Sequence, residues 1–92
     1  MNLELRLFAT FREVVGQKTV HREFPDDATV REVLESLESE YEDLEGSFLE
    51  DGELRSQINV LKNGREVLHL DGLETRVADG DTISIFPPVA GG

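Results

Sequence analysis

Thr29-Val30-Arg31-Glu32-Val33-Leu34-Glu35-Ser36-Leu37-Glu38-Ser39-Glu40-Tyr41 is the stretch on which the fold turns. Val30, Val33, Leu34, Leu37 and Tyr41 fall at helical spacing and form one apolar stripe. Glu32, Glu35 and Glu38 fall on the face expected to meet water. Thr29 and Glu32 fit a capping box, in which hydroxyl and carboxylate satisfy the end donors reciprocally. The spacing predicts a helix over 30–42. It is the one long helix the pattern supports, because the segments around it repeat every two residues rather than every three or four.

Upstream, residues 2–8 alternate, with Leu3, Leu5 and Leu7 on one side and Glu4 and Arg6 on the other, which reads as a half-buried strand. Thr10 to Val15 reads as a short helical segment ended by Gly16 at C′. Residues 18–24 alternate again, and Pro25-Asp26-Asp27 is a turn. Downstream, residues 43–56 are acidic, with Gly46 and Gly52 as breakers, and read as a loop holding a turn or two of helix. Gln57 to Lys62 is a strand, Asn63-Gly64 a type I′ hairpin signal, and Arg65 to Leu68 the returning strand. Asp79-Gly80-Asp81 is another turn, and Thr82 to Phe86 the last strand. The order is β-α-β-α-β-β-β. The fold class is α+β, a mixed five-stranded sheet with the main helix on one face. Leu3, Leu5, Leu7, Ile58, Val60, Ile83 and Ile85 point inward. That leaves Phe8, Leu61 and Phe86 on the opposite face, either as a partner patch or beneath a loop or the short helix.

Ninety-two residues make one domain. Residues 1–86 form its body, and 87–92 have a composition unlike the rest. No apolar run approaches the roughly 20 residues of a membrane span, and no signal peptide is visible. Cysteine is absent, which removes disulfides, thiolate metal sites and cysteine nucleophiles together. A cytoplasmic monomer is expected. The formal net charge is −11, with ten acidic residues and no base between Arg31 and Arg55. Such a chain is a poor partner for nucleic acid or an anionic membrane, both of which need basic residues. Only two lysines stand against seven arginines. Acid excess with few lysines fits a salt-rich cell, where screening over about 3 Å at 1 M tolerates self-repulsion. It also fits a basic partner.

Catalytic and metal motifs are missing. There is no glycine-rich phosphate loop. His21 and His69 sit in separate predicted strands without a second ligand and read as surface residues. Asp79-Gly80-Asp81 and Asp51-Gly52-Glu53 resemble pieces of calcium loops, but neither continues into the twelve-residue pattern. No metal site and no catalytic residue is expected.

The chemistry left is at the C-terminus, Pro87-Pro88-Val89-Ala90-Gly91-Gly92. Pro87 and Pro88 favour a stiff, extended spacer, and six residues at about 3.1 Å each would project the end about 19 Å. Gly91 and Gly92 carry no Cβ and suit a narrow channel in another protein. The open Gly92 α-carboxylate is what an ATP-using partner needs to form an acyl-adenylate, which a thiol, sulfide or amine then attacks. On this reading the protein is the substrate. Lys18, Lys62 and the N-terminus are the amines available for self-linkage, and both lysines are expected to be exposed.

Leu7-Phe8-Ala9-Thr10-Phe11-Arg12-Glu13-Val14-Val15-Gly16 resembles the opening of the small subunit of molybdopterin synthase. Thr29-Val30 with Leu34, Ile58-Asn59-Val60 with Asn63-Gly64, and Asp79-Gly80-Asp81 with Ile83 continue the likeness in order, and Phe86 to Gly92 closes it. The resemblance implies the β-grasp fold of ubiquitin. It implies an E1-like activating enzyme that adenylates Gly92 with its own ATP and magnesium. Target-protein lysines or a molybdopterin synthase large subunit would then receive the tail. The family's members are sulfur carriers with a C-terminal thiocarboxylate, serving molybdopterin synthesis or tRNA thiolation, or small archaeal modifiers that form isopeptide bonds. Acidity and scarce lysine resemble the halophilic archaeal modifiers most, so the modifier reading comes first. A β-grasp interaction module with an inert tail is the reading from another class.

Overall fold

The computed structural model describes residues 1–88. Its strands are β1 (Asn2–Leu7), β2 (Thr19–Glu23), β3 (Leu49–Glu50), β4 (Glu53–Leu54), β5 (Asn59–Lys62), β6 (Arg65–Glu66) and β7 (Thr82–Phe86). Its α-helices are α1 (Ala9–Val15) and α2 (Val30–Glu40). Five strands form one sheet in the order β2-β1-β7-β5-β6. β1 and β7 lie parallel at its centre, with Leu5 opposite Ile83 and Leu7 opposite Ile85. The other pairings are antiparallel.

The period-two pattern places Leu3, Leu5, Leu7, Val60, Ile83 and Ile85 on one face, all buried. Against them α2 buries Val30, Val33, Leu34 and Leu37. A fully buried Val or Leu contributes about 1.5–3 kcal/mol, so this interface dominates the core. The Thr29 hydroxyl accepts the Glu32 N–H at 3.4 Å, the half of the capping box that forms. Residues on either side of the cap are held by the chain near 75: the Val30 N–H donates to the Thr75 carbonyl at 2.9 Å. The helix ends at Glu40, two residues short of the expected end, because Tyr41 turns to an extended backbone. α1 closes on Gly16 at φ 82°, whose N–H donates to the Arg12 carbonyl.

The acidic stretch 43–56 corrects the loop reading. It holds a short 3-10 turn at Glu42–Leu44 and the hairpin β3–β4. Asp51 and Gly52 are that hairpin's two turn residues, with φ of 54° and 79°. Aspartate followed by glycine suits such a turn, since both central residues need positive φ. The acids hide two core residues, Leu44 and Phe48, both fully buried. Phe48 meets Phe11 edge-on at 5.0 Å. Glu38 is not a solvent-facing residue as expected. Its carboxylate accepts the N–H groups of Phe48 and Leu49 at 2.8 and 3.1 Å and ties α2 to the stretch.

The expected strand over 65–68 is shorter, since β6 gives way to a 3-10 turn at Val67–His69. Asn63 and Gly64 both have positive φ, as the hairpin signal requires. Asp79-Gly80-Asp81 is a structural clasp. Asp79 accepts the Asn2 N–H at 2.7 Å, and Asp81 accepts the Asn63 side-chain amide at 2.8 Å and the Ala78 N–H at 2.7 Å.

Candidate docking site at the root of the tail

β7 ends at Phe86 and passes directly into Pro87. The side chains at this exit come from three elements. β7 supplies Phe86, the turn between β1 and α1 supplies Phe8, and β5 supplies Asn59, paired with Phe86 across the sheet. The rings of Phe8 and Phe86 stack with centroids 4.1 Å apart and planes at 15°. The Arg12 guanidinium lies 5.5 Å from the Phe8 ring centre. Its Nε–H donates to the Leu7 carbonyl at 3.1 Å, across the turn where Ala9 takes a φ of 51°. A largely apolar groove of about 430 Å³ opens here, lined by Phe8, Ala9, Thr10, Asn59, Phe86 and the two prolines. On the other flank of Pro87 and Pro88 lies a more polar hollow bordered by Thr10, Ser47, Arg55 and Gln57.

Phe8, Leu61 and Phe86 are each half-buried, neither sealed into the core nor fully open to solvent. Phe8 and Phe86 come together. Leu61 stands two pairs further along β5, opposite Ser84, and does not line the groove. Pro87 is half-buried and Pro88 exposed, while Gly91 and Gly92 lie outside the described residues. Arg12, Ala9 and Asn59 belong to the site without having been singled out as site residues. Arg12 was findable, because it falls four residues after Phe8, the spacing that brings side chains together around a helical turn. The register that sets Asn59 beside Phe86 has no local signal.

Lys18 is exposed beyond the Gly16 turn. Lys62 corrects the expectation of exposure. Its side chain is 26% exposed and its Nζ lies 3.7 Å from the Asp81 carboxylate. His21 is exposed with Nε2 3.6 Å from Glu4, and His69 is exposed in its 3-10 turn. The hydrogen bond from Arg6, at 2.6 Å, holds the Glu4 carboxyl below the usual carboxylate range. Among the described residues no group of three His, Asp or Glu side chains converges as a metal site. Nor is any helix among them long and apolar enough to cross a membrane.

A mixed sheet with parallel terminal strands at its centre, crossed by one main helix and leading straight into a C-terminal tail, is the β-grasp arrangement of ubiquitin-like proteins. The ThiS family signature matches residues 5–92, and the chain belongs to that family. It is 64% identical over 92 residues to small archaeal modifier protein 3 of Haloferax volcanii, covering all of both chains. The crystal structure of SAMP1 from Haloferax volcanii superposes with a TM-score of 0.86 at 41% identity, over the whole of both chains. Sulfur carrier protein CysO of Mycobacterium tuberculosis is 34% identical over 80 residues, 84% of this chain and 83% of that one.

Proposed function

We propose that this chain is a ubiquitin-like protein modifier whose Gly92 is joined to lysines of target proteins. The observation that carries this reading is its 64% identity, end to end, with a small archaeal modifier protein. The chemistry takes two steps. A Gly92 carboxylate oxygen attacks the α-phosphorus of ATP, and the bond to pyrophosphate breaks, leaving an acyl-adenylate. A lysine amine then attacks the Gly92 carbonyl carbon, AMP leaves, and the amine gives up a proton, so an isopeptide bond forms. An E1-like enzyme of the cytoplasm supplies the ATP and magnesium, and the chain supplies the docking groove and the tail. Phe8 and Phe86 offer that enzyme an apolar contact, and Pro87 and Pro88 lead the tail toward its active site. The acidic surface supports a salt-adapted cell as the setting.

The likeness to a sulfur carrier favours a second product of the same adenylate. Sulfide in place of the amine, with AMP again leaving, gives a C-terminal thiocarboxylate. A molybdopterin synthase large subunit or a tRNA-thiolating enzyme would be its recipient. Intact mass after incubation with ATP and extract of the source cells tests both. A ladder of covalent adducts supports the modifier, and an oxygen-to-sulfur exchange on the free chain supports the carrier. An unchanged mass overturns both in favour of an interaction module with an inert tail.

A further inference from the structure

We propose that Arg12 is a positioning residue that acts through Phe8 to preset the Phe8–Phe86 pair for the partner that takes up the tail, an inference that rests on the activation reading above. Carboxylates outnumber basic side chains by twenty to nine in this chain. Arg6, Arg22, Arg31 and Arg55 pair with carboxylates, whereas Arg12, like Arg65 and Arg76, makes no ion pair among the described residues. It spends its guanidinium on the Leu7 carbonyl and the Phe8 ring instead.

The local backbone gives that choice a purpose. The chain leaves β1 through extended Phe8 and enters α1 through Ala9 at φ 51°, a left-handed conformation that alanine rarely adopts. The Arg12–Leu7 hydrogen bond spans this turn and fixes where Phe8 leaves the backbone. Phe8 is half-buried and stands outside the core cluster, so the core does not clamp its ring. A cation near the ring adds the missing restraint. Phe86 stacks on a ring already held in place. A ring pair ordered before binding spares the partner the entropy of ordering it. Losing Arg12 therefore weakens docking and leaves the adenylation step itself alone.

ATP–pyrophosphate exchange by the source cell's E1-like enzyme, with the full-length chain as the varied substrate, tests this beside NMR contacts between the Phe8 and Phe86 rings. Arg12→Gln is expected to raise KM about three- to ten-fold with kcat unchanged. It should also weaken the ring-to-ring contacts, and Arg12→Lys, which keeps the cation, should restore part of both. In the Phe8→Leu background Arg12→Gln is expected to add little. Multiplying effects would mean that Arg12 touches the partner directly and would overturn the proposal. So would unchanged ring contacts in Arg12→Gln, or a fall in kcat with KM constant. If even the unaltered chain supports no exchange, the activation reading fails, and the ring contacts still decide whether Arg12 holds Phe8.

Discussion

The Glu38 carboxylate accepts the Phe48 N–H at 2.8 Å, joining the outer side of α2 to a segment that carries a fully buried ring. The same oxygen accepts the Leu49 N–H. Two part-buried backbone donors thus depend on one side chain. Glu38→Ala is expected to destabilise the fold by about 2 kcal/mol, because hydrogen bonds to a charged acceptor are lost and the donors are left without a protein partner. Glu35→Ala, on the exposed side of the same helix, is expected to change stability by under about 0.5 kcal/mol. Urea unfolding of the two variants checks this, and equal midpoints would refute it.

Arg22 on β2 binds the Glu40 carboxylate at the end of α2, with its Nε–H at 2.8 Å from one oxygen, and also reaches the Tyr41 hydroxyl. The hydrogen bond from Arg22 holds the Glu40 carboxyl below its ordinary range. A carboxyl depressed in the folded state contributes stability above its unfolded pKa and loses it as pH falls through the folded one. Glu40→Gln should therefore lower the unfolding free energy at pH 7. The difference should shrink as pH falls and vanish once wild-type Glu40 is itself protonated in the folded state. The pair is about a third exposed, so the effect at pH 7 is small, about 0.5 kcal/mol after screening. Unfolding curves of both proteins from pH 7 downward read it directly.

Deleting Gly91 and Gly92 should abolish conjugation and sulfur transfer and leave the thermal midpoint within about 2 °C. The core cluster among the described residues runs to Ile85, and residues at a chain end generally add little to stability. Covalent adducts formed by the shortened chain would remove Gly92 from the mechanism.

Molar salt should raise the unfolding midpoint by several degrees over dilute buffer. Ten acids lie between Arg31 and Arg55 with no base among them, and in the β3–β4 hairpin Glu50 stands directly opposite Glu53. Like charges facing each other across a strand pair are destabilising, and at 0.01 M the screening length is about 30 Å. Glu53→Gln should raise the low-salt midpoint and shrink the salt response. Equal midpoints in dilute buffer and molar salt would count against salt adaptation.

The central strands, α2 and the inward-facing set were legible because each rests on a local period: two for Leu3-Leu5-Leu7, three to four for Val30-Val33-Leu34-Leu37. The 43–56 stretch was not, because its charge density masks a two-residue hairpin and the burial of Leu44 and Phe48 depends on α1 and α2. The Asp51-Gly52 turn signal was present, but strands of two residues are too short to show alternation. At the tail root the pattern exposed Phe8 and Phe86 as a pair out of place on a polar face. What local spacing does not encode is which β5 residue lies beside them, so Leu61 was grouped where Asn59 sits.

The two lysines should differ in reactivity. An amine must be free of its proton and reachable to attack an activated carbonyl. Lys18 is exposed at the end of the Gly16 turn, whereas Lys62 is only 26% exposed and lies 3.7 Å from a buried carboxylate that is itself fixed by Asn63 and Ala78. Amine-directed acylation of the folded chain should label Lys18 several-fold faster than Lys62. Asp81→Asn should narrow that gap by freeing the Lys62 amine, though it will also cost stability at the clasp. For enzymatic self-linkage the readout is a tryptic branch. Arg76 is the last cleavage site, so a modified lysine carries Val77 to Gly92. Branches are expected mostly on other proteins, with Lys18 and Lys62 as minor self-acceptors. Purified adducts in which no lysine bears that branch, alongside accumulated thiocarboxylate, would transfer the function from modifier to sulfur carrier.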